Sequence, residues 1–138
     1  ENKTYLINFC RPFIYTTALP PIIAKWNLES IQYLQNHPEK APTLKNKAQQ
    51  FQKKLIAAGF NILGNTHIIA IKGKTIEQTK AWAKACQQKG YGIRSICHPT
   101  VPKNQPLIRL CITLNHSETL LNNLLQTLKE THDALKLG

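Results

Sequence analysis

The sequence predicts an α+β sandwich in which helices cover one face of a sheet. Three observations carry that class. Helical apolar stripes alternate with short β-branched runs, one run alternates with a period of two, and a leucine-rich helix comes last. The chain is 138 residues long and 42% hydrophobic, enough for one buried core and unlike a disordered segment.

The elements follow in order. Phe13-Ile14-Tyr15-Thr16-Thr17 is aromatic and β-branched and reads as a strand. It ends at Pro20-Pro21, residues suited to the first turn of a helix. Ile22, Ile23, Trp26, Leu28, Ile31, Tyr33 and Leu34 then cover more than one helical face. Such a helix is expected to be buried on several sides or to pack on a partner.

His37-Pro38 breaks the pattern, and a second helix is expected after Pro42. Leu44, Ala48, Phe51, Leu55 and Ala58 keep the spacing of a single stripe, which Gly59 stops as a C-cap. Ile68-Ile69-Ala70-Ile71 reads as a strand. Thr75 to Gln78 has capping-box spacing and opens a helix to about Lys89, ended by Gly90. Tyr91 to Cys97 reads as a strand, and His98 to Pro102 as a rigid loop. In residues 107–114 Ile108, Leu110, Ile112 and Leu114 form one face, and Leu107, Arg109, Cys111 and Thr113 the other. A final helix from about Ser117 aligns Leu121, Leu124, Leu125, Leu128 and Leu135.

Composition narrows the function classes. No apolar run approaches the roughly 18 residues of a bilayer span, and residues 1–8 lack the features of a signal peptide, so no membrane association is expected. Methionine is absent even at position 1, as expected of a fragment, a trimmed chain or a mature chain. Cys10, Cys86, Cys97 and Cys111 form no C-x-x-C pair, so free, buried or half-buried thiols in the reducing cytoplasm are expected, and no metal site. The formal charge is +11, yet fifteen of the eighteen basic residues are lysines scattered along the chain. Nucleic-acid readers concentrate their basic residues and favour arginine, so a solvated basic surface or an anionic small ligand fits better. Two other classes remain: a basic nucleic-acid module, which salt-dependent retention on DNA would reveal, and a non-catalytic dimerisation domain, which sedimentation would reveal.

Few residues point to chemistry. Arg109 interrupts an apolar strand on the face opposite Ile108 and Leu110. There its guanidinium can hold a ligand carboxylate through two parallel hydrogen bonds, or form an ion pair with one of seven acidic residues. Periodicity does not divide the two. Thr100 lies in a loop pinned by Pro99 and Pro102, and its hydroxyl suits either ligand contact or a turn. Thr16 and Thr17 precede a helix N-terminus, where free N–H groups favour anions. His67, His98 and His116 are scattered and assemble no nucleophile–base set.

Two longer stretches resemble a known family. Arg11 through Pro21 reads RPFIYTTALPP and is similar to the R-x-F-I-[FY]-[ST]-T-[AS]-L-P-P segment of the α-oxoamine synthases. Gly90-Tyr91-Gly92-Ile93, Pro99-Thr100-Val101-Pro102 and Ile108-Arg109-Leu110 resemble that family's second segment, in the same order. Pro106-Leu107 departs from it, since relatives often carry a small residue and a second arginine there. The resemblance implies pyridoxal 5'-phosphate (PLP) as cofactor and decarboxylative condensation of an amino acid with an acyl thioester. It also implies a homodimer of the aspartate-aminotransferase fold, with this chain supplying a small C-terminal domain with a short antiparallel sheet. Residues 1–36 would then end the large cofactor domain and its connecting helix, and 37–138 form the small domain. Arg109 would grip the substrate carboxylate and Thr100 line the substrate pocket. Thr16 and Thr17 would approach the cofactor phosphate or acyl-CoA pocket of the neighbouring subunit. The family's Schiff-base lysine lies upstream of the matched region, so no catalytic residue is expected here and the chain alone is expected to be inactive.

Overall fold

The computed structural model describes residues 2–15 and 18–135. The chain divides into two compact units, Glu1–Pro38 and Glu39–Gly138.

The first unit is helical: α1 (Asn2–Phe9), α2 (Arg11–Ile14) and α3 (Pro21–Asn36). The strand expected over 13–17 is not formed at its described residues, 13–15. Its first residues lie in α2, where the Ile14 and Tyr15 amides donate to the carbonyls of Cys10 and Arg11 at 2.9 and 3.0 Å. Pro12 explains the outcome, because its fixed φ suits a first helical turn. No described strand in this unit offers the run a ladder, and β-branched content does not replace one. Thr16 and Thr17 lie outside the described residues. The start of α3 at the proline pair is as expected, with the Ile23 amide donating to the Pro20 carbonyl at 2.9 Å. Its apolar residues are not buried. Ile22, Trp26, Leu28, Ile31 and Leu34 are all exposed, Trp26 at 72%.

The second unit runs α4 (Lys40–Ala57), β1 (Ile62–Leu63), β2 (Ile68–Lys72), α5 (Ile76–Gln88), β3 (Arg94–Ile96), β4 (Leu107–Cys111) and α6 (Glu118–Ala134). Its sheet has the order β1-β2-β4-β3 and every pairing is antiparallel. Alternation sets its two faces. Ile69 and Ile71 of β2 and Ile108 and Leu110 of β4 are buried. They join Phe51 and Leu55 of α4, Trp82 and Cys86 of α5, and Leu121 and Leu128 of α6 in one core. The intervening Arg109 and Cys111 are exposed. The α+β sandwich with one covered sheet face is therefore the observed fold.

Local chemistry explains the ends of the elements. The Thr75 hydroxyl caps α5 by accepting from the Gln78 amide at 3.2 Å, and Ser117 caps α6 by accepting from the Leu120 amide at 3.1 Å. Gly59 takes φ +88° after α4, a conformation that stops the helix. Several limits differ from expectation. Helix α4 starts two residues before Pro42, and Pro42 sits within its first turn, where no N–H is needed. The β4 strand ends at Cys111, after which the Ile112 amide turns to the His67 carbonyl at 2.8 Å. The β3 strand spans only Arg94–Ile96, because a local bond from the Ile93 amide to the Tyr91 carbonyl (2.7 Å) occupies the run before it. Cys111 is exposed rather than buried, since it falls on the open sheet face. No described helix is long and apolar enough to cross a membrane.

Candidate functional site

The open sheet face carries the candidate site. Arg109 stands in the middle of β4, paired with Ala70 on one side and with Arg94 on the other. Directly opposed residues of an antiparallel pair share a face, so two guanidinium groups project from neighbouring strands. Both are exposed. Among the described residues neither guanidinium has an ion-pair or hydrogen-bond partner; charged pairs such as Lys54–Glu118 and Lys89–Glu130 lie elsewhere. The structural ion pair that could have accounted for Arg109 is absent from the described residues.

A cavity of about 470 Å³ runs beside this pair, where the residues before β3 and after β4 meet α6. Arg94, Arg109, Tyr91 and His116 are among its lining residues, together with the apolar Ile112 and Leu121. Among the described residues, no acidic side chain and no lysine lines it. His116 is held by its turn: the Thr113 amide donates to its Nδ1 at 3.3 Å. Lys47 of α4 braces the same turn by donating to the carbonyls of Leu114 (2.8 Å) and His116 (2.7 Å). This arrangement can bind an anion, with a rigid turn and a core strand holding its donors.

The other expected site residues are placed differently. Thr100 is exposed in the loop after β3 and does not line the arginine cavity. Its amide closes the loop on the Cys97 carbonyl at 3.1 Å, while its hydroxyl makes no hydrogen bond among the described residues. The His98–Pro99 peptide in this loop is cis. Thr16 and Thr17 cannot be placed against the cavity, lying outside the described residues. His67 and His98 are exposed, and the described residues contain no group of three metal-ligating side chains. Sequence reasoning passed over Arg94, Tyr91 and His116 as members of the site. The available signal was that two of only three arginines fall in predicted strands. Which residues oppose each other depends on register, and register is a tertiary property.

Comparison with known proteins agrees with this architecture. The chain is 32% identical over 130 residues to 8-amino-7-oxononanoate synthase of Hydrogenovibrio crunogenus, covering 93% of this chain and 32% of that protein. With 8-amino-7-oxononanoate synthase of Bacillus pumilus it shares 33% over 135 residues, 97% of this chain and 34% of the relative. The chain thus spans about one third of the length of the curated relatives it matches. Among solved structures, serine palmitoyltransferase of S. paucimobilis with a bound PLP-myriocin aldimine superposes with a TM-score of 0.88 at 24% identity, over 98% of this chain and 35% of that one. The 8-amino-7-oxononanoate synthase of Francisella tularensis superposes at 0.79 and 21% identity, over 96% and 39% of the two chains. At those identities the superpositions show the fold. The family model for aminotransferase class I and II matches residues 1–128, and the chain belongs to that family.

Proposed function

We propose that this chain is the C-terminal third of a PLP-dependent α-oxoamine synthase. Its reaction would join L-alanine to pimeloyl-CoA, or to the corresponding acyl-carrier-protein thioester, forming 8-amino-7-oxononanoate with loss of the alanine carboxylate as CO2 and release of CoA or the carrier-protein thiol. The observation that carries the reading is Arg109: a cation on the open face of a core strand, with no acidic partner among the described residues and none of their carboxylates lining the cavity beside it. The names of the relatives support the choice of substrates. The siblings 5-aminolevulinate synthase and 2-amino-3-ketobutyrate CoA ligase share the general chemistry.

The described residues do not by themselves fit PLP. The arginine cavity offers no lysine for a covalent bond and no carboxylate to face a pyridine nitrogen. In this reading the cofactor is held by the rest of the protein, where it supplies an electron sink. The residues of this chain bind and orient. Arg109 fixes the amino-acid carboxylate through a forked pair of hydrogen bonds, which sets the angle of the substrate's α-carbon. Thr100 is assigned to the substrate pocket, and Thr16 and Thr17 to the cofactor phosphate or acyl-CoA pocket of the neighbouring subunit of a homodimer. Residues 1–36 are read as the end of the large domain and its connecting helix, and 37–138 as the small domain. The setting is the reducing cytoplasm, without nucleic acid or membrane as partner.

The test is turnover by the full-length protein. CoA release should require both L-alanine and pimeloyl-CoA. Arg109→Ala should raise the KM for L-alanine by roughly 30- to 1000-fold, the equivalent of about 2 to 4 kcal/mol for an unpaired charge contact. The chain of 138 residues alone should release none. Unchanged alanine kinetics in the variant would refute the reading, as would turnover only with the substrates of a sibling enzyme.

A further inference from the structure

Arg94 is the feature that the reading above leaves unused. It opposes Arg109 directly across the β3–β4 ladder, and both line the same cavity. Opposed residues in an antiparallel pair hold their Cβ atoms about 4.5 to 5.5 Å apart, and like charges in that position destabilise the sheet. Nothing local offsets this repulsion. Neither arginine has a carboxylate partner among the described residues, and no acidic side chain lines the cavity. Two uncompensated guanidinium groups so placed are better satisfied by an anion between them than by water alone.

We infer that Arg94 is a second substrate-binding residue, closing with Arg109 on one ligand carboxylate. The inference rests on the reading that Arg109 holds the carboxylate of the amino-acid substrate. Hydrogen-bond capacity supports a shared grip. An ionised carboxylate offers about four lone-pair sites, and a forked contact from one guanidinium uses two of them. The two that remain match the donors of a second arginine approaching from the neighbouring strand. Arginine rather than lysine at both positions fits planar, forked recognition. A cation on each side of the carboxylate also restrains its rotation, which one fork alone does about a single axis.

The test compares L-alanine with L-alaninamide, which has the same side chain and amine but no anionic carboxylate. Binding of each would be measured by equilibrium dialysis to the full-length protein and to its Arg94→Gln, Arg94→Lys and Arg109→Gln variants, together with Tm. Arg94→Gln should reduce the preference for alanine over alaninamide by about tenfold, the scale of one lost charged hydrogen bond. Arg94→Lys should recover part of it. The Tm of Arg94→Gln should be unchanged or higher, because a like-charge contact has been removed. A preference unaltered by Arg94→Gln, while Arg109→Gln abolishes it, would overturn the role of Arg94 and leave the role of Arg109 intact. A preference unaltered by either substitution would remove both. Equal loss of both ligands with a lowered Tm would mark Arg94 as structural and likewise overturn the inference.

Discussion

At the scale of single residues, burial and close approach decide what can be changed. A Cβ on Gly73 would lie 1.9 Å from the Thr79 hydroxyl, which is buried and donates to the Thr75 carbonyl at 2.6 Å. Gly73→Ala should therefore displace the α5 cap and cost about 1 to 3 kcal/mol, read as a lowered midpoint in urea unfolding. The cysteines separate in the same way. Cys86 is fully buried beside Thr131, and burial pushes its thiol above the usual value, so its thiolate is scarce. Cys111 is exposed. In the folded chain Cys111 should react readily with a thiol reagent, and Cys86 should react only after denaturant is added. Comparable labelling of Cys86 without denaturant would contradict the core described here. Composition alone left these two thiols alike; they part because Cys86 sits on the buried side of α5 and Cys111 on the open face of β4.

At the scale of elements, legibility followed periodicity. Helices α4 and α6 and strand β4 could be read because each repeats an apolar pattern over several residues, whereas α5 was legible from its capping-box start and β2 from a continuous apolar run. The two-residue β1 is too short to carry a period, and it forms because it pairs with β2. The run from Phe13 misled for a related reason: β propensity measures fit to a neighbouring strand, and where no neighbour is present Pro12 decides the local form. Electrostatics ties α5 to α6 through Lys89 and Glu130, 2.6 Å apart, and Lys89 holds the Glu130 carboxyl below its usual pKa. The linked stability is present above the unfolded value and is lost as pH falls through the folded one. Both groups are exposed, so the effect on stability is small. It should be visible in an NMR titration, where Lys89→Ala moves the Glu130 midpoint up toward an ordinary carboxylate. The cap of α6 is a second check: Ser117→Ala should cost about 1 kcal/mol in thermal unfolding.

At the scale of the molecule, the two units face opposite situations. The second closes its own core, with Leu55, Ile69, Ile108 and Leu128 wholly inaccessible. The first leaves Trp26, Ile22 and Leu19 exposed, an apolar surface of the sort that marks a contact with another polypeptide. Under the proposed function, that surface would be covered by the remainder of a longer protein or by a second subunit. The chain of 138 residues alone should self-associate through this surface, and Trp26→Lys with Ile22→Lys should lower its sedimentation coefficient without lowering the Tm of the second unit. A monomer before and after substitution would count against that expectation. The α+β class and the family motifs were legible because they lie in local spacing. The site was legible only at Arg109, since its partners Arg94, Tyr91 and His116 are brought to it by strand register and by the turn into α6.

A crystal structure of the full-length protein with L-alanine bound bears most directly on what Arg109 does. The carboxylate oxygens should lie within hydrogen-bond distance of the Arg109 guanidinium, on the sheet face turned away from Trp82 and Leu128. A carboxylate bound elsewhere, with Arg109 facing solvent, would contradict the account.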